Sequence, residues 1–196
     1  MKDYKGLEWE ALQLLDANLS EKLHYHGLSH TLEVLYVCNQ YIDRENLPQE
    51  PAGLLRVGAL MHDIGFTVSL KEHEALSMKL AGPMMKKHGY TTEDYEVVKG
   101  LIRSTKVPQS PHNHLEEIIC DSDLDYLGRD DFYRISQLLF EELQLFSIVK
   151  NKTEWNRKQV VFLEAHRYHT DFACRYRQPK KEERIRELKA LLGLSL

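Results

Sequence analysis

The run Leu54-Leu55-Arg56-Val57-Gly58-Ala59-Leu60-Met61 ends in His62-Asp63. A stretch this apolar predicts a helix that belongs in a core. Its buried end then carries an imidazole and a carboxylate side by side. Burying such groups is costly unless they are paired or coordinate a metal. A neutral nitrogen ligand beside an anionic oxygen ligand suits a divalent ion better than it suits packing. The dipeptide alone decides little, because composition gives about 0.6 His-Asp pairs by chance in a chain of this kind. Its surroundings decide.

Two further segments supply them. One is Tyr25-His26-Gly27-Leu28-Ser29-His30-Thr31, the other Asp121-Ser122-Asp123-Leu124-Asp125-Tyr126-Leu127-Gly128. In chain order the ligand types run His30, then His62-Asp63, then Asp123. With its Leu-Met-His-Asp-Ile-Gly centre, the pattern resembles the HD superfamily of metal-dependent phosphohydrolases, whose signature is H…HD…D. The resemblance covers roughly residues 20 to 175. It implies an all-α fold in which separate helices bring His30, His62, Asp63 and Asp123 to one divalent ion in the core. The last ligand falls on Asp123, the second Asp of the Asp-x-Asp motif. Asp121 and Asp125 are left to cap, to hold a ligand histidine in its tautomer, or to face solvent.

Hydrophobic spacing independently predicts helix after helix. Leu7, Ala11, Leu12 and Leu15 mark the first. Thr31 to about Arg44 is the second, and Pro48 and Pro51 break the chain before the third, which ends near Met61 to Asp63. His73 to His88 follows, stopped by Gly89. Thr91 or Thr92 caps a helix through Ile102. Residues 106 to 114 carry Pro108 and Pro111 and form a loop. Helices are expected at about 115 to 127, 131 to 146 and 154 to 172, and a charged one over Lys180 to Leu192. The expectation is a single HD-type helical domain over 1–196, with 178–196 as its charged C-terminal helix.

Two neutral imidazoles and two carboxylates balance the charge of one divalent ion. The set suits Mn, Fe, Co, Ni, Zn or Mg. The resemblance implies hydrolysis of a small phosphate ester, a nucleotide or other small phosphate compound, by water activated on the metal, and Asp63 helping to position that water. It also implies that acids and a histidine just after the metal pair orient water or contact phosphate. Glu72 and His73 occupy those places. In two-metal members a second histidine comes from a later Ile-x-x-His segment. Here that segment is Ile102-Arg103-Ser104-Thr105-Lys106, without a histidine, so one metal is expected. Lys106 stands near the expected substrate edge, either as a phosphate contact or as a solvated lysine. His26 is a candidate phosphate-facing residue. The alternative is a regulatory HD module that binds metal or nucleotide without turnover.

Other histidines need no such role. His112 and His114 fall in the Pro-bounded loop. His166 and His169 fall on the long helix expected at 154 to 172, where packing or surface placement accounts for them. Arg175, Arg177, Lys180, Lys181, Arg184 and Arg186 interleave with Glu182, Glu183 and Glu187, which reads as a solvated, ion-paired helix.

The formal charge of −4 gives no broad attraction to nucleic acid or membrane. No apolar stretch reaches the ~18 residues of a membrane span. The N-terminus lacks the apolar centre of a signal peptide. Three widely spaced cysteines form no pairing framework, which fits a reducing cytoplasm.

Overall fold

The computed structural model describes residues 1–195. Its secondary structure is helical throughout, as expected, with no strand among the described residues. The chain's contacts group into two compact units.

The first unit comprises residues 1–21 and 26–123. It contains α1 (Tyr4–Asn18), α2 (Leu28–Glu45), α3 (Gln49–Met61), a 3₁₀ turn (Ile64–Thr67), α4 (His73–Lys87), α5 (Thr92–Ser104) and α6 (His114–Asp123). Leu7, Ala11 and Leu15 recur every four residues and place one stripe of α1 in the core. They pack with Leu54, Val57 and Met61 of α3, Met85 of α4 and Ile102 of α5. α3 is buried nearly all round and starts earlier than the prolines suggested. Pro51 lies within its first turn, where an amide hydrogen has no intrahelical partner to lose. α5 begins with a reciprocal cap: Thr91 Oγ1 accepts from the Asp94 amide, and Asp94 accepts from the Thr91 amide.

The second unit comprises residues 22–25 and 124–196. Its described elements are a 3₁₀ turn (Asp125–Gly128), α7 (Phe132–Leu145), α8 (Lys152–Ala165), α9 (Asp171–Tyr176) and α10 (Gln178–Leu191). Phe132, Ile135, Leu163, Ala173 and Leu188 form its core with Tyr25 and Leu127. The helix expected over 154 to 172 stops at Ala165. His166 turns to extended backbone, and α9 begins anew after Thr170, whose hydroxyl accepts from the Ala173 amide. His166 and His169 therefore lie in a bend, not on a helix. The helix expected over 115 to 127 ends at Asp123 and gives way to the 3₁₀ turn.

Pro179 stands in the first turn of α10. That helix is less solvated than its charge suggested, because Lys181 is fully buried. Cys38, Cys120 and Cys174 are free thiols. Burial pushes Cys38 up to about 12, which leaves it an inert thiol at neutral pH. No helix among the described residues is long and apolar enough to cross a membrane.

Candidate metal centre

His62 caps the C-terminal end of α3, and Asp63 follows as the chain tightens into the first 3₁₀ turn. His30 comes from the first turn of α2 and Asp123 from the last residue of α6. Three helix ends of the first unit thus deliver the four side chains. His62 is 1% exposed, His30 5% and Asp63 6%.

The four groups converge. His30 Nε2 lies 3.0 Å from Asp123 Oδ1, 3.4 Å from His62 Nε2 and 3.5 Å from Asp63 Oδ2. His62 Nε2 lies 3.3 Å from Asp63 Oδ2 and 3.7 Å from Asp123 Oδ1. Ligands held ~2.0–2.2 Å from one ion stand roughly 3.0–3.5 Å from one another. The spacing therefore fits the edges of one coordination shell. His30, His62 and Asp123 in particular offer atoms close enough together to share an ion.

The tautomer of His62 fits as well. Its Nδ1 is 2.8 Å from the Ala59 carbonyl. A carbonyl only accepts, so Nδ1 carries the hydrogen, and the neutral imidazole, once Nε2 gives up its proton to an ion, offers its lone pair on the side of the other candidate ligands. The electrostatics favour a cation. Burial depresses His62, yet the Asp63 and Asp123 carboxylates outweigh it and raise the imidazole to about 9. Burial likewise opposes ionisation of Asp63, but His62, His26 and His30 hold it well below the usual carboxylate range. The donor set, spacing and charge all fit a divalent ion.

A ring cluster borders this set. Phe66 stacks on His73 at 4.0 Å between centroids and on His26 at 4.5 Å. His26 also meets His30 edge-on at 6.0 Å. His73 Nε2 reaches within 3.5 Å of both Asp63 Oδ1 and Glu74 Oε1. Gly65 brings the first turn of α4 to this place. A Cβ on Gly65 would collide with the His73 carbonyl, and its amide donates to the buried Ser77 hydroxyl at 2.8 Å.

The outer candidates are arranged differently from the inner ones. Glu72 precedes α4 in left-handed backbone, with φ of 54°. Its carboxylate pairs with Lys106 Nζ at 3.2 Å, and both side chains are more than half exposed. Glu74, by contrast, is buried. Asp121 is fully buried in α6. Asp125 belongs to the second unit, where Arg177 Nε donates to it at 2.7 Å. The structure thus joins His26, His30, His62, Asp63, His73 and Asp123, and pairs Glu72 with Lys106 nearby in sequence to His73 but out in solvent.

Sequence reasoning overlooked Phe66 and Glu74. Phe66 lies three residues after Asp63 and Glu74 eleven. Phe66 had a signal, being the one aromatic residue between His62-Asp63 and His73. Nothing in the sequence distinguished Glu74 from Glu72.

The family model described as HD domain matches residues 27–190. Neither the curated proteins nor the solved structures gave a match.

Proposed function

Because the chain belongs to the HD-domain family, whose general activity is metal-dependent phosphohydrolysis, we propose that it hydrolyses a small phosphate ester using one divalent ion. His30, His62, Asp63 and Asp123 would hold the ion. The observation that carries this reading is the mutual 3.0–3.7 Å approach of their Nε2 and carboxylate oxygens in a buried site.

A divalent ion there supplies a Lewis acid that polarises a phosphoryl oxygen and lowers the pKa of water. The chain's own groups do the rest. The Ala59 carbonyl fixes His62 in the tautomer that offers Nε2. Asp63 divides its carboxylate, with Oδ2 toward His30 and His62 and Oδ1 toward His73. On this reading Asp63 orients water and His73 holds or passes a proton at Nε2, a role supported by the Glu74 carboxylate 3.5 Å away. His26, held against Phe66, is a phosphate-facing candidate. Lys106 would meet substrate phosphate by exchanging its exposed contact with Glu72, and Glu72, so released, would orient water. A nucleotide is the favoured substrate class.

The test is elemental analysis of the purified protein, followed by a phosphoester panel with added Mn²⁺, Mg²⁺, Ni²⁺ and Co²⁺. One ion per chain and metal-dependent release of phosphate or of the alcohol are expected. Absence of metal binding under all four additions would overturn the reading.

A further inference from the structure

A groove of about 720 Å³ runs along α3 beside the start of α1, with Tyr4 and Tyr90 in its walls. None of the residues of the candidate metal centre lines it. Its charge is uneven. Lys2 is taken up by Asp94 at 2.7 Å and by Glu50, the one carboxylate in the lining, at 2.9 Å, so its single charge is shared between two acids. Arg56 and Lys5 remain.

Arg56 is partly buried and held from one side. Its Nε donates to Asn39 Oδ1 at 2.7 Å, and Asn39 is itself fixed by donating to the Leu35 carbonyl at 2.9 Å. Among the described residues, the two terminal nitrogens of Arg56 donate to no protein acceptor. A guanidinium anchored at Nε with both ends left over presents the fork that binds carboxylate or phosphate. Among the described residues Lys5 forms its ion pair with Glu8, one turn away, its ammonium stands 5.5 Å from the Tyr4 ring centre, and its side chain is 84% exposed. Such surface pairs are worth little and exchange readily for another anion.

Gly53 supplies an independent observation. It lies inside α3, where glycine lowers helix stability relative to alanine. A Cβ there would meet no atom within 4 Å, whereas one on Gly58 of the same helix would press on Leu101. Packing therefore asks for glycine at 58 but not at 53. What the missing side chain does at 53 is leave the floor of the groove open.

We infer that this groove binds a small organic anion, with its carboxylate or phosphate head on Arg56 and Lys5 and a flat apolar body over Gly53 between Tyr4 and Tyr90. The site is separate from the metal centre and does not depend on the proposed hydrolysis.

The test is an NMR titration of the full chain with naphthalene-2-carboxylate and with phenylphosphonate, using naphthalene-2-carboxamide as the neutral counterpart. At least one anion should shift the backbone amides of Gly53, Arg56 and Tyr90 and leave those of His30 and Asp123 in place. The tighter of the two anions assigns the head group. The carboxamide should bind at least about tenfold more weakly, the size expected when a charge-assisted hydrogen bond is lost. Arg56→Gln should weaken the anion by a similar factor, and Gly53→Phe should block it. Equal binding of the carboxamide, wild-type affinity in Arg56→Gln, shifts gathered at the metal centre, or no binding of either anion would each overturn the inference. Should a variant fail to fold, the wild-type shift map and the comparison of carboxylate with carboxamide decide the matter.

Discussion

His73 faces Asp63 across 3.5 Å, from Nε2 to Oδ1, while the other oxygen of the same carboxylate faces His30 and His62. One carboxylate thus touches both the candidate ligand set and the residue proposed to manage a proton. His73→Asn should leave metal content near that of the wild type and slow turnover by about 10²–10⁴-fold, the usual weight of a general acid or base. Elemental analysis beside steady-state kinetics on the best panel substrate checks this. Loss of metal in His73→Asn would make His73 a ligand instead.

Replacing the inner groups should act on metal and activity together. His62→Ala or Asp123→Asn removes a donor from a set with 3.0–3.7 Å spacing. Each should lower bound metal below one tenth of the chains, roughly the scale on which a lost charged contact acts, while circular dichroism retains the helical signal. Full occupancy in both variants would contradict the assignment.

Two acids flank His73, and their environments differ. Glu74 is buried beside the imidazole, while Glu72 lies in solvent with Lys106. Glu74→Gln is expected to lower kcat more than Glu72→Gln does. Lys106→Ala should raise KM for the phosphate ester and change thermal stability by no more than about 1 kcal/mol, since exposed pairs contribute little. A larger kcat loss in Glu72→Gln would put the outer acid ahead of Glu74 in the chemical step.

Histidine protonation gives a pH signature in the second unit. Burial, and then the nearby Lys181 ammonium, pull His166 down to about 3. In the unfolded chain the imidazole returns to its ordinary value near 6.5. Below pH 6.5 the unfolded chain therefore binds a proton that the folded chain refuses. Stability falls as pH falls, by at most about 1.4 kcal/mol per unit between 6.5 and 3. His62, raised to about 9, has the opposite sign, so the informative quantity is a difference between two proteins. Relative to the wild type, His166→Gln should gain ground as pH drops from 6.5 to 5 in parallel melts. A pH-independent difference would mean that His166 titrates normally.

The helices and the ligand set were largely legible, and the reasons are physical. Leu7, Ala11 and Leu15 announce α1 because burial of one stripe leaves a four-residue rhythm. The candidate ligands stand out because two histidines and two aspartates recur in a family order with matching flanks. The end of α8 was not legible. Phe162, His166, His169 and Ala173 keep helical spacing, and no glycine or proline interrupts them. The bend is made from a distance instead, since Lys181 donates to the His166 carbonyl at 2.6 Å. Likewise, the choice between Glu72 and Glu74 depends on the left-handed backbone at Glu72. Two identical acids on either side of one histidine give no hint of which one a positive φ will turn outward.

The clasp at Gly65 has a consequence for how this site could diversify. Gly65 lies against the His73 backbone and binds Ser77 through its amide, so the start of α4 is held by main chain, not by the imidazole. Gly65→Ala should therefore cost about 1–3 kcal/mol through overpacking, measurable as a lowered melting temperature, whereas the His73 imidazole adds its stack on Phe66 to a place the main chain already fixes. Position 73 is thus a socket whose frame is backbone: a change of side chain there gives up the Phe66 stack and the contacts with Asp63 and Glu74, while the frame beside the candidate ligands keeps its place.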